Sequence, residues 1–350
     1  MTPEVALILG IDGLANGAVY LLAGLGLVLI FSVTRVVFVP FGDVAAFAAL
    51  SLAAFEAGRL PATIGLVATL AVLALAVEIR SLVVRGETRR IPRAALGWGV
   101  LPALPCLAAW AIAGRAVPAT LQVAAAVALV VPIIPLVARV ALQPIADASV
   151  LVLLIASLAL HYLLSGLGLL FFGPEGSRTA PLAGGALSLG GFSVSGQVLL
   201  MVGASLVLSG LFFLAFERTV AGKALRATAI NRIGARLVGI RPARTALLAY
   251  VCASLLAGLI GILVAPVTTM YYDSGFLIGL KAFVAAIIGG LVSYPLTALG
   301  AIAVGVVESF ASFWSGALKD VIVFSLLIPV LLLRSFFSAH PDEEEEEIDE

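Results

Sequence analysis

The sequence predicts an all-α polytopic membrane protein, and three observations carry that reading. Hydrophobic residues make up 62% of the 350 residues and charged residues 11%, with a mean hydropathy of +1.19. A soluble domain carries about 25% charged residues. Apolar runs reach the roughly 20 residues that a helix needs to cross a bilayer. The basic residues are balanced by acids to a net charge of zero, yet they cluster between those runs. Alternating strand-like segments are not visible, which sets a membrane β-barrel aside.

The first run, Val5–Phe31, follows a start without the basic segment of a cleaved leader and is expected to be retained as a span. Phe41–Ala57, Ile64–Val84, Ala95–Ala113, Thr120–Ala138 and Val150–Phe171 are the next apolar runs. The stretch FGPEGSRTAPLAGGALSLGGFSVSG is rich in Gly and Ser and reads as an external loop. Val198–Phe216 and Thr245–Val264 follow, and Leu296–Phe313 and Val321–Leu333 come last. Between them lies Ala282–Val292, about half the length of an upright span. It is either a short tilted span or a half-helix buried in protein, because irregular backbone at that depth needs protein or a wet cavity around it. Residues 1–335 thus form one membrane domain with about ten or eleven hydrophobic segments, and 336–350 an acidic disordered tail. No strong internal repeat stands out.

Lys and Arg set the orientation. With the N-terminus outside and the short run spanning, roughly fifteen of the twenty basic residues face the cytoplasm. Arg59, Arg115, Arg178, Lys281 and Lys319 remain outside or near the outer surface. The opposite orientation reverses the ratio, so a multi-pass protein with N-terminus outside and C-terminus cytoplasmic is expected.

Catalytic signals are poor. The only histidines, His161 and His340, are far apart in sequence, and Cys106 and Cys252 stand alone in apolar segments. The AGKA around Gly222 and Lys223 lacks the upstream glycine of a phosphate-binding loop. No catalytic residue, metal or cofactor is expected, and transport is a more economical role than catalysis. Ionisable groups inside spans are costly and often functional, and Asp12, Asp43, Glu56, His161, Lys281 and Glu308 are the candidates. Asp12, Asp43, Glu56 and Lys281 lie near predicted span ends, where snorkelling to headgroups explains them. Glu308 lies deeper and reads as a polar path, a buried network or a structural pair. Asn16 and Tyr20, one helical turn apart, line a cavity or bond a neighbouring helix. Gly13 with Gly17, and Gly275 with Gly279, allow close helix approach within or between chains.

The segment VAGKALRATAINRIGARLVGIRPART carries six basic residues and no acid. Leu225, Ile233 and Leu237 recur at near-helical spacing, with Arg226 and Arg236 largely elsewhere on the wheel. Gly234 and Gly239 are expected to break it into one or two short helices. Such a basic amphipathic element lies at headgroups or docks in a partner's groove.

ERTVAGKALRATAINRIGARLVGI resembles the cytoplasmic coupling loop of ABC importer permeases, and is closest to the branched-chain amino-acid permease family (LivH/LivM type). LLAGLIGILVAP, GLKAFVAAIIGGLVSYPLTALGAIAVGVVESF and LKDVIVFSLLIPVLLL are similar to that family's C-terminal half, and ANGAVYLLAGLGLVLIFSV to its first helix. The resemblance spans roughly 1–55 and 135–335. It implies an importer permease fold, with the short run as a broken helix and 217–244 as the coupling loop. Residues 64–115 look like an inserted helical hairpin. It also implies cytoplasmic ABC ATPase subunits, a second permease subunit, identical or homologous, and an extracytoplasmic binding protein. These act at a cell (inner) membrane, without nucleic acid. Gly222, Lys223, Arg226, Asn231, Ala235, Arg236, Leu237 and Gly239 would form the ATPase contact. Asn16, Tyr20, Asp43, Phe283 and Glu308 would be candidates for the translocation path. One departure stands out. The family usually has Asn-Phe-Ala-His-Gly-Glu after the first span, and this chain has FVPFGD, keeping Gly42 and an acid at Asp43. Urea, amides or small carboxylates are alternative substrates. An ion-coupled transporter with Glu308 and Asp43 as relay groups, or a membrane scaffold, would need no ATPase.

Overall fold

The computed structural model describes residues 2–146, 148–189 and 192–338, so His340 and all of the acidic tail beyond Ser338 lie outside the described residues. Helix α1 (Pro3–Thr34) starts with proline in its first turn, where the missing N–H has no partner to lose. It is followed by α2 (Phe41–Glu56) and α3 (Thr63–Val84). Next come two irregular rods, α4 (Ile91–Ala94) with α5 (Leu101–Ile112), and α6 (Ala119–Val130) with α7 (Ile133–Val137). Both rods contain π-helical turns, Ala95–Val100 and Ala138–Leu142. Prolines at 102 and 105 in one rod and 132, 135 and 144 in the other remove N–H donors from the ladder.

Helix α8 (Val150–Phe172) leads to strands β1 (Ala186–Leu189) and β2 (Phe192–Ser195), an antiparallel pair running from Ala186 opposite Ser195 to Leu189 opposite Phe192. The sequence reading has only a loop there, and this hairpin, with an isolated antiparallel bridge between Ser177 and Met270, departs from an all-helical fold. The remaining helices are α9 (Gly196–Arg218), α10 (Val220–Ile230), α11 (Arg232–Leu237) and α12 (Pro242–Val264). The last four are α13 (Gly275–Ile288), α14 (Tyr294–Trp314), α15 (Lys319–Ser325) and α16 (Leu327–Ser338).

Among the described residues, eight helical segments are long and apolar enough to cross a membrane. That is fewer than the ten or eleven runs in the sequence, and the difference is physical. Phe41–Ala57 forms a 16-residue helix buried along almost its whole length. At 1.5 Å per residue it is about 24 Å long, short of a roughly 30 Å hydrocarbon core. The short run becomes α13, 14 residues that begin at Gly275 and end before Val292. Val321–Leu333 is split at Leu326 into two short helices.

The core is built from α1, α2, α12, α13 and α14, with α3 to α8 and α9 around it. An internal repeat, faint in the sequence, organises this core. LLAGL occurs at 21–25 in α1 and at 255–259 in α12, and each helix is followed by a short connection and a half-helix. The two long helices are antiparallel. Leu29 and Val33 near the end of α1 pack with Ala249 near the start of α12, while Leu9 and Asp12 share a cavity with Val267 just beyond α12. Each half-helix packs on the other repeat's long helix, α2 on α12 and α13 on α1. The first turns of α2 and α13 meet backbone to backbone at Gly42 and Gly275. The arrangement is an inverted repeat crossing at two glycines. Gly13 and Gly17 face Val306 and Ile302 of α14, so this small-residue pair serves packing within the chain.

Within residues 64–115, α3 packs against α5. It is tied to the core by the Ser51 and Thr63 hydroxyls, 2.5 Å apart. Arg139 clamps it from α7's extension, its Nε donating to Glu78 at 2.6 Å and its Nη2 to the Ser81 hydroxyl at 3.3 Å.

Candidate functional site

Two polar clusters lie inside the apolar core. In the first, Lys281 of α13 donates to Glu308 of α14 at 2.5 Å and lies 2.8 Å from Asp320 of α15. The Tyr20 hydroxyl of α1 donates to the other oxygen of Glu308, also at 2.5 Å. The Lys281 and Glu308 side chains are 6% and 9% exposed. Lys281 therefore does not snorkel, contrary to the sequence reading, because α13 is a half-helix that keeps its middle inside the protein. Glu308 is both a paired group and a member of a buried network.

A cavity of about 400 Å³ adjoins this cluster. Asn16 and Asp12 form part of its α1 wall, Glu308, Ser309 and Ser312 its α14 wall, and Val198 and Met201 its α9 wall. Of the two α1 residues placed one turn apart, Tyr20 bonds a neighbouring helix and Asn16 faces the cavity. The cavity sits at the end of the fold that holds the start of α1, opposite α10. Asp12 is exposed and lines it.

The second cluster is Asp43 with His161. Asp43 is completely buried in the first turn of α2, where a negative charge complements the helix dipole. One of its oxygens lies 2.7 Å from His161 Nδ1, and the other has no hydrogen-bond partner. The imidazole stacks on Phe276 of α13 with centroids 4.3 Å apart. This corrects the snorkelling assigned to Asp43. The α1–α2 connection turns back into the protein, so a residue near a predicted span end is at depth. The sequence flags both residues as intramembrane ionisable groups, but nothing in it pairs positions 118 apart. Glu56 does reach the surface, where it accepts from the Ala180 N–H at 3.0 Å. Phe283 lines a separate crevice of about 20 Å³ with Val39 and Gly279. Tyr20, Asn16 and Glu308 are thus brought together, whereas Asp43 and Phe283 are elsewhere. No group of metal-ligating side chains is found among the described residues.

The basic segment is a pair of capped helices. Thr219 Oγ1 accepts from the Gly222 N–H at 3.0 Å and starts α10. Asn231 Oδ1 accepts from the Ile233 and Gly234 N–H groups at 3.0 and 2.8 Å and starts α11. The break is therefore at Asn231, and Gly234 lies inside a helix, contrary to expectation. Gly239, at φ +84, ends α11, and the Ile240 N–H closes the turn onto the Ala235 carbonyl at 2.9 Å. Gly222 abuts the Phe216 backbone, and Leu225 is 2% exposed against Leu29, Val33 and Phe216. Ala235 is buried too. Ile233 and Leu237, read from the sequence as one stripe with Leu225, point the other way and are 72% and 84% exposed. Ile230 and Val238 are exposed beside them, and Lys223, Arg226 and Arg236 are exposed as well. The segment is anchored through Leu225 and presents an apolar patch with a basic rim.

Residues 10–331 match the family described as branched-chain amino acid transport system / permease component. The chain is 33% identical over 204 residues to the high-affinity branched-chain amino acid transport system permease protein BraD of Pseudomonas aeruginosa. It is 32% identical over 206 residues to the corresponding LivH of Escherichia coli. In both cases the match covers 56% of this chain and 66% of the relative, just under two thirds of its length. The probable branched-chain amino acid transport permease protein LivH of Methanocaldococcus jannaschii is 30% identical over 214 residues, covering 57% of this chain and 68% of that one. No solved structure matches the chain. With the long apolar helices, the paired half-helices and a family match across nearly its whole length, this chain belongs to the branched-chain amino acid transport permease family.

Proposed function

We propose that this chain is the membrane-spanning permease subunit of an ABC importer for branched-chain or related small amino acids. Separate cytoplasmic ATPases dock on α10 and α11 and supply the energy. A second permease subunit shares the translocation path, and an extracytoplasmic binding protein delivers substrate. The N-terminus is outside and α10 is cytoplasmic. The supporting observation is the patch of Ile230, Ile233, Leu237 and Val238, apolar and exposed on two capped helices whose inner face is fixed by Leu225. Large exposed apolar side chains rimmed by charge mark a protein contact.

The patch also explains how force would pass. Gly222 and Leu225 tie α10 to the ends of α9 and α1, so moving α10 moves those helices. ATPase closure then biases the permease between inward- and outward-facing states.

The test is co-purification of the ATPase with the full chain. Ile233→Asp with Leu237→Asp places two charges in the contact and should remove most of the bound ATPase, while the permease keeps its yield and melting temperature. Gly239→Val strains a positive-φ position, and Arg236→Glu inverts the rim. Both should uncouple ATP hydrolysis from uptake. Full ATPase retention in the double variant together with normal uptake in the other two would refute the docking assignment.

A further inference from the structure

The cavity beside Glu308 has a composition that selects one kind of solute. Its lining includes the Glu308 carboxylate and the Asn16 side-chain amide. Glu308 accepts two hydrogen bonds from Tyr20 and Lys281, and a carboxylate offers about four acceptor sites. Lys319 contributes a half-buried ammonium, with the Ser312 hydroxyl on the same α14–α15 side. Val198 and Met201 of α9 supply an apolar wall. The volume of about 400 Å³ falls within the roughly 300–1,000 Å³ range of small-molecule sites.

We infer that this cavity is an amino-acid subsite belonging to the permease chain itself, reached from the end opposite α10, and that it takes a zwitterion with an aliphatic side chain. The ammonium sits on Glu308 and Asn16. The carboxylate turns toward Lys319 and Ser312. The side chain lies on Val198 and Met201. The charge arrangement rejects other classes. An anion meets both Asp12 and Glu308, a cation meets Lys319, and an uncharged solute leaves polar groups unmatched. This rests on the reading of the chain as an amino-acid permease, and it adds where and by which residues the solute is held.

The test uses the full complex in proteoliposomes, with Cys106→Ser and Cys252→Ser and a single new thiol from Val198→Cys. The rate of thiol modification by a charged maleimide is measured with leucine, leucine methyl ester or isocaproate. Leucine at twice its dissociation constant should slow modification about threefold, by simple occupancy. The ester and the acid should leave the rate unchanged. Asn16→Leu should raise the leucine concentration needed for that protection about tenfold or more, as expected for a lost hydrogen bond to a charged group. An unchanged rate with leucine, or equal protection by all three probes, overturns the subsite. Leucine uptake measured in the same preparation separates the two readings. Uptake without protection removes the subsite and leaves the importer, whereas protection by leucine alone without uptake keeps the subsite and removes the importer.

Discussion

Lys281→Met should destabilise the protein by about 3–5 kcal/mol, the cost of breaking a buried ion pair from one side. Lys281 is the cation between two carboxylates, Glu308 and Asp320. Removing it leaves two like charges near each other, the buried Glu308 and the partly exposed Asp320. Glu308→Gln should cost less. Lys281 then keeps Asp320, and the Gln carbonyl still accepts from Tyr20 or Lys281. The double variant, Lys281→Met with Glu308→Met, should recover much of the loss, because an apolar pair of similar volume is often as stable as a buried ion pair. Unfolding midpoints in one detergent, combined as a double-mutant cycle, give the coupling. Equal losses from Lys281→Met and Glu308→Gln would show that Asp320 does not share the lysine.

That cluster also shows what the sequence can and cannot reveal. Glu308 is legible because an acid in the middle of an apolar run must be paired or functional. Its partner is not legible, because Lys281 lies in a run whose depth depends on whether it spans the membrane or stops halfway. The same ambiguity hides Asp43. Hydropathy gives the same signal for Phe41–Ala57 whether the helix crosses lipid or is buried in protein, and only packing decides. The basic segment behaves in the opposite way. Its caps are local, so Thr219, Asn231 and Gly239 carry their structural roles in their own chemistry. The break at Asn231 rather than Gly234 follows from the asparagine's ability to accept from two N–H groups. The split between a buried Leu225 and an exposed Leu237 was out of reach, since a change of helix direction between them breaks the single wheel. The inverted repeat is faint in sequence because its halves share only LLAGL and the order of a long helix and a half-helix. Backbone geometry needs little side-chain identity to be conserved between halves.

The crossing of those halves gives the second large effect. Gly42→Val and Gly275→Val should each abolish the folded protein. A Cβ at either position overlaps the backbone of the other half-helix, at the Gly275 carbonyl in one case and the Gly42 carbonyl in the other. Overpacking against side chains costs about 1–3 kcal/mol because rotamers give way. Here the opposing atoms are main chain in first turns whose neighbours are fixed: Asp43 by His161, and α13 by Phe276 stacking on that imidazole. Relief would require the half-helices to separate, which opens the Asp43–His161 pair as well. The loss should therefore exceed the usual range and approach the roughly 5–15 kcal/mol of a whole domain. Gly279 supplies the control. A Cβ there is in near-ordinary contact with Gly42 and Val39, so Gly279→Ala should retain most of its yield. Monodisperse yield after detergent extraction reads all three. Gly42→Val and Gly275→Val extracting as well as Gly279→Ala would mean that the half-helices are not locked at this crossing. The crossing would then be a joint that opens readily, and uptake by those two variants would show whether opening it leaves transport intact.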